Sequence, residues 1–328
     1  MRRRDFVGLV GGAAAWPLAA GAQQRERVRR IGVLSTLGKN DPVVQTRIAA
    51  LARGLRDLGW MEGRNFRIEH RFLAGRFDLI PSSVADVVAS KPDVVHAGNT
   101  LIAQEFRRQT RTIPIVFVNV GDPVETGMVA TLARPGVNAT GFMNSESEIG
   151  GKWLELLKEI APTVSRVLVL VNSGIDTNQN FLRRIEAAAP SLSIQVSSAA
   201  IRDGGEIERA IEAFAREPNA GLIALSGGPV SNRRRLIFAL AGRYRLPAVF
   251  QFREYVTEGG LMSYSADVLD MYRRSASYVD RILKGEKPDD LPVQAPTKYE
   301  LVVNINAAKA IGLTIPASFL LRVDEVFE

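Results

Sequence analysis

The sequence predicts an α/β protein built as two doubly wound parallel-sheet lobes joined by a multi-segment hinge. Three observations lead there. From Arg30 onward, short apolar runs alternate with helix-period segments, the pattern that winds helices onto both faces of a parallel sheet. The alternation restarts at Arg166, giving two successive βαβαβ blocks. A chain of 328 residues also exceeds one ordinary core and suits two lobes.

In the first block, Ile31-Gly32-Val33-Leu34 reads as a buried strand that breaks into a polar turn at Ser35. Val44 to Leu58 carries apolar residues at helical spacing and stops at Gly59, a glycine cap. Residues 65–72 alternate like a strand with one wet face. A helix over 81–90, a strand over 93–97, a helix over 100–110 and a strand over 115–120 follow. The stretch 136–145, rich in Gly, Asn, Thr and Ser, is the expected first crossing between lobes. In the second block, strands are expected over 166–171, 193–197, 221–225 and 248–250. The intervening helices are expected over 178–189, 206–216 and 230–244.

The first 22 residues stand apart. Met1-Arg2-Arg3-Arg4 is a basic start, a Gly/Ala-rich apolar run follows, and Ala20-Gly21-Ala22 is a small-x-small cleavage pattern before Gln23. The run is too short to span a bilayer. It reads as a removable export signal, and Arg3-Arg4-Asp5-Phe6 is similar to a twin-arginine signal. The competing reading is a mitochondrial presequence or a basic tail. No later segment approaches 18 uninterrupted apolar residues, so no lasting membrane insertion is expected after cleavage.

The formal charge is +7, two units of which lie in the leader. Arg107-Arg108 and Arg233-Arg234-Arg235 sit within helix-like patterns near acidic residues, with no basic stripe interleaved with aromatics, so nucleic-acid binding is not expected. With no cysteine, thiolate catalysis and Cys-based metal sites are excluded. Only His70 and His96 could serve a metal or a catalytic imidazole, and His96 lies inside an apolar strand, where a core role is expected. No metal and no cofactor are expected.

In open parallel sheets, ligands bind beyond the carboxyl ends of the strands, where helix N-termini present N–H groups. In lobe one those ends carry Ser35-Thr36, Gly98-Asn99-Thr100 and Gly121-Asp122. In lobe two they carry Asn172-Ser173, Ser226-Gly227-Gly228 and Gln251-Phe252. The candidate ligand-binding residues are therefore Ser35, Thr36, Asn99, Thr100, Gly121, Asp122, Asn172, Ser173, Ser226, Gly227, Gln251 and Phe252. Each has a plainer reading: Asn99-Thr100 as a helix cap, Asp122 as a turn before Pro123, and Ser226 to Pro229 as a loop opening a helix. Together they form a small, polar, mostly uncharged set that suits hydrogen bonding to a compact solute. Dinucleotide, P-loop, nucleophile-elbow and H-E-x-x-H signatures are missing, so no catalytic residue is proposed.

Several stretches together resemble the substrate-binding component of ABC transporters, in the family that includes tryptophan- and tyrosine-uptake lipoproteins. They are Ile31 to Ser35, Gly121-Asp122-Pro123-Val124, Ala133 to Gly141, Gly259 to Tyr264, Arg281 to Pro288, Asp290 to Val293 and the tail from Asn304 to Pro316. The resemblance implies a type I periplasmic-binding fold that shuts on its ligand like a hinged clamp. It implies lobe one from 28–141 plus 267–292, and lobe two from 142–266 plus 293–328. It also implies a small-molecule ligand, such as an amino acid or related solute, and an ABC permease as partner in the periplasm. Two departures stand out: Ser265 replaces a glycine common among relatives, and Ser226-Gly227-Gly228 lacks the acidic residue that amino-acid binders place there. An α-amino ligand would then draw on Asp122 or Glu254. The alternatives are a sensory binding protein for a membrane receptor or an exported α/β enzyme.

Overall fold

The computed structural model describes residues 27–172 and 174–328. The export signal expected over 1–22 and the candidate Ser173 lie outside these residues.

Lobe one is a five-stranded, all-parallel sheet in the order β2-β1-β3-β4-β5. Its strands are β1 (Arg29–Ser35), β2 (Phe66–Phe72), β3 (Val94–Ala97), β4 (Ile115–Gly121) and β5 (Ala139–Ser145). Helices α1 (Pro42–Asp57), α2 (Ile80–Ala89) and α3 (Thr100–Gln109) connect them. Each of β3, β4 and β1's central residues is buried, which is why these runs read as continuous apolar stretches instead of alternating ones.

Lobe two carries seven strands in the order β12-β11-β10-β9-β8-β6-β7. The chain enters through α4 (Ile149–Ile160) and continues as β6 (Arg166–Val171), α5 (Asp176–Ala188), β7 (Gln195–Ala200), α6 (Gly204–Phe214) and β8 (Ala220–Ala224). Then come α7 (Pro229–Asn232), α8 (Arg234–Arg243), β9 (Ala248–Phe250), α9 (Arg253–Thr257) and β10 (Met262–Ala266). The helix expected over 230–244 is thus interrupted at Arg233, whose backbone leaves the helical region (φ −106°, ψ 18°). The strand expected from residue 193 starts at Gln195, because Ser193 is left-handed at φ 52° and ends a turn.

After β10 the chain returns to lobe one as α10 (Val268–Leu283), which lies along α1. Gly54 makes that approach possible: a Cβ there would sit 2.3 Å from the Arg273 carbonyl oxygen. The tail recrosses to add β11 (Tyr299–Asn304), antiparallel to β10, then α11 (Ile305–Ala310), α12 (Ala317–Leu320) and β12 (Glu325–Phe327). β5 pairs with β4 through Ser145, so the first crossing follows Ser145 and not residue 141. Three strands of chain therefore join the lobes. Tyr264 stacks on Tyr299 beside them with ring centroids 5.5 Å apart.

His96 fills lobe one's core. It is fully buried, its Nε2 lies 3.0 Å from Ser275 Oγ, and its ring is 5.1 Å from that of Tyr272. Burial, with His70 nearby, pushes its pKa down to about 3. Among the described residues, no helix is long and apolar enough to cross a membrane, and no cluster of three acidic or histidine side chains could hold a metal.

Candidate functional site

The carboxyl ends of the parallel strands of both sheets face one another across a cleft that holds a cavity of about 100 Å³. Its walls come from both lobes, as the strand-end argument requires. From lobe one come Thr36 after β1, Asn99 and Thr100 after β3, and Gly121 at the end of β4. From lobe two come Ser226 and Gly227 after β8, and Gln251 and Phe252 after β9.

The lobe-two loop is fixed from within. The Ser226 N–H donates to Gln251 Oε1, and the Gly227 N–H donates to Ser231 Oγ at 2.8 Å. Tyr255 Oη also donates to Ser231 Oγ, at 3.1 Å. Asn178 spans two loops by accepting from the Asn172 N–H at 3.0 Å and donating to the Ser226 carbonyl at 3.2 Å. Burial raises the Tyr255 phenol pKa, against its hydrogen bond to the Ser231 hydroxyl.

Three candidates stand elsewhere. Ser35 lines a smaller adjoining recess, and its Oγ accepts from the Leu37 N–H at 3.2 Å. Asn172 turns its Oδ1 to the Gly174 N–H at 3.0 Å and lies behind Gly228. Asp122 is left-handed at φ 46°, and its Oδ2 accepts from the Ser147 N–H at 3.0 Å. That carboxylate ties the end of β4 to the first crossing, and it does not line the cavity. Its turn chemistry outweighs its position at a strand end.

Other residues complete the walls. Asn119 interrupts Val118-Asn119-Val120 and adopts φ 61° at an irregularity in the β4–β5 register, accepting from Asn144 Nδ2 at 2.8 Å. A bulge of this kind re-aims a side chain, and an asparagine inside an apolar strand was the available signal. Thr177 and Asn178 lie in the first turn of α5, beyond the residues that directly follow β6. Arg47 lies mid-helix on α1, and only the tertiary fold brings it to the cleft.

Arg47 is the cation of an ion pair between lobes. Its guanidinium meets Glu254 Oε1 at 3.0 Å, with both side chains 13% exposed. It lies over the rings of Phe252 and Tyr272, 5.5 and 5.8 Å from their centroids. Burial works against the Arg47 charge, and the Glu254 carboxylate together with the Tyr272 and Tyr255 phenols more than offsets it, so its pKa is raised. Glu254 Oε2 is buried without a partner. A second pair runs the other way: Arg234 of lobe two meets Asp41 of lobe one at 3.2 Å and Glu258 of its own lobe at 2.8 Å. A third, Arg183–Glu125 at 3.3 Å, is largely exposed. These contacts hold the lobes shut.

Residues 31–327 match the family described as ABC transporter substrate binding protein. The chain belongs to that family. It is 24% identical over 261 residues to a tyrosine-binding protein of Clostridioides difficile (strain R20291), covering 80% of this chain and 75% of that one. Among solved structures, a conserved domain protein of Vibrio cholerae is 27% identical and superposes with a TM-score of 0.84, covering 92% of this chain and all of that one. A Streptococcus pneumoniae ABC domain in complex with L-Trp is 23% identical, with a TM-score of 0.83 and the same coverage. The two-lobed α/β fold and the role of binding a transported solute are those expected from the sequence.

Proposed function

We propose that this substrate-binding protein takes an amino acid with an aromatic side chain into the cleft, closes on it and presents it to an ABC permease. The observation that carries the reading is the cavity wall. Neutral hydrogen-bonding groups at the strand ends of both lobes share it with Phe77, Phe252 and Tyr255. Polar groups suit an amino-acid head group, and aromatic rings suit its side chain. The names of two relatives, a tyrosine-binding protein and an L-Trp complex, support the same class. A ligand that touches both lobes stabilises only the closed state, so a permease can distinguish loaded from empty protein. No step of this function requires catalysis.

The test uses L-tyrosine and L-tryptophan. Saturating ligand is expected to compact the protein in small-angle scattering, with no chemical change in the recovered solute. At a concentration about 100 times Kd, it should add about 2.7 kcal/mol of stability by mass action. Absence of binding by either amino acid would remove this ligand class, and turnover would replace binding with catalysis.

The proposal also places the mature chain in the periplasm, exported by the twin-arginine route through residues 1–22, on the strength of Arg3-Arg4 and Ala20-Gly21-Ala22. Replacing Arg3 and Arg4 together by lysine is expected to leave an uncut precursor in the cytoplasm. Normal cleavage before Gln23 in that variant would rule the route out.

A further inference from the structure

The helices that open onto the cleft differ in how their first turns are satisfied. Asp41 caps α1 by accepting from the Val43 N–H at 3.0 Å, and Asn99 caps α3 by accepting from the Ile102 N–H at 3.0 Å. The 13-residue α5 has Ile175 at the same position, and no side chain there makes a capping bond. Its N-terminus therefore presents N–H groups and the positive end of the helix dipole without a side-chain acceptor from its N-cap.

A second observation points to what fills that place. Thr177, in the first turn of α5, is 3% exposed, lines the cavity, and has a buried Oγ1 with no hydrogen-bond partner. Leaving such a hydroxyl unpaired is unfavourable, so its retention at a cavity wall calls for a partner that arrives from outside. Its methyl is held by the opposite lobe: a Cβ added at Gly121 would lie 2.5 Å from Thr177 Cγ2. That contact fixes the side chain at the cavity wall. Asn178, which follows it, is already committed to Asn172 and Ser226.

We infer that Thr177 and the N-terminus of α5 form the subsite for the ligand's carboxylate, with the Thr177 hydroxyl donating to one of its oxygens. The inference rests on the proposed amino-acid reading and sharpens it, since it assigns the head group to lobe two and not to the Asn99-Thr100 end of lobe one. An anionic acceptor at a helix N-terminus gains from both the hydrogen bond and the dipole.

The test is calorimetric titration of wild type, Thr177→Val and Thr177→Ser with L-tyrosine and with L-tyrosinamide, in which an amide replaces the carboxylate. Thr177→Val keeps the shape and removes the hydroxyl. It is expected to weaken L-tyrosine binding roughly ten- to a hundredfold, the scale of a hydrogen bond to a charged group. L-tyrosinamide, already weak on wild type, should change less, and Thr177→Ser should bind L-tyrosine within about threefold of wild type. Wild-type affinity in Thr177→Val, or an equal loss for both ligands, overturns the assignment. Ligand-free melts supply an arm that needs no ligand. A hydroxyl kept for binding predicts that Thr177→Val melts no lower than wild type, whereas a lower melting temperature marks a structural hydroxyl and overturns the proposal. If wild type binds neither probe, the ligand reading fails on its own, and the melts still decide the role of the hydroxyl.

Discussion

The floor of the cleft and its outer edge are closed by the same chemistry in opposite polarity. At the floor, lobe one supplies the cation, Arg47, and lobe two the anion, Glu254. Toward the outer groove lobe one supplies the anion, Asp41, and lobe two the cation, Arg234. Asp41 caps α1 and Arg47 lies farther along it, so one helix is gripped at two points. The surroundings differ. The floor pair is enclosed by Phe252 and Tyr272 and has one carboxylate oxygen left over. Arg234 instead keeps Glu258 as a second partner within its own lobe, whatever the other lobe does. Losing a partner should therefore matter far more at the floor than at the edge.

Glu254→Gln is the largest expected effect. The amide keeps an acceptor for Arg47 but leaves its charge uncompensated in the closed state, a change that costs about 3–5 kcal/mol for a buried pair. Opening rehydrates Arg47, so the variant should open instead of unfolding. L-tyrosine affinity is expected to fall at least a hundredfold, roughly the lower end of that range. The ligand-free melting temperature should stay near that of wild type. Titration and scattering check the two halves; an unchanged affinity would place the grip elsewhere.

Acid can break the comparison by weakening lobe one itself. His96 is neutral in the fold, with a pKa of about 3 against an ordinary 6.5. Below pH 6.5 the unfolded chain binds a proton that the folded one refuses. The stability tied to His96 is thus complete above pH 6.5 and is lost as pH falls toward 3, at up to about 1.4 kcal/mol per pH unit. Burial lowers the His70 pKa as well and acts in the same direction. Chemical denaturation at pH 7, 6, 5 and 4 should show this slope in wild type and a shallower one in His96→Gln. Equal slopes would mean that other groups govern acid unfolding.

The fold was legible because buried parallel strands write themselves as apolar runs and the restart at Arg166 marks a second sheet. The cavity wall was legible where strand ends bring residues to it, as at Asn99, Gly121, Ser226 and Gln251. It was not legible where a side chain chooses among partners. Asp122 sits at a strand end but satisfies the Ser147 N–H, and Arg47 sits mid-helix yet reaches the cleft because α1 packs under it. Nor does local sequence distinguish a helix whose cap is supplied, as at Asn99, from one left open, as at Ile175.

Asp41→Asn is the smallest expected effect and the sharpest probe of the edge, because Asp41 holds two jobs. Its Oδ1 caps α1 through the Val43 N–H, and the same carboxylate faces Arg234. Asparagine caps about as well as aspartate, so the helix start and the stability of lobe one should be unchanged. Only the charge toward Arg234 is lost, and Glu258 still neutralises that guanidinium at 2.8 Å. With that partner kept, the closed state should weaken by about 1 kcal/mol or less although the pair is largely buried, or roughly a fivefold loss of L-tyrosine affinity. Asp41→Ala removes the cap as well and should lower ligand-free stability by about a further 1 kcal/mol. Titration beside thermal melts separates the jobs. If Asp41→Asn weakened binding as much as Glu254→Gln, the retained Glu258 would not be protecting Arg234, and floor and edge would be equivalent clasps.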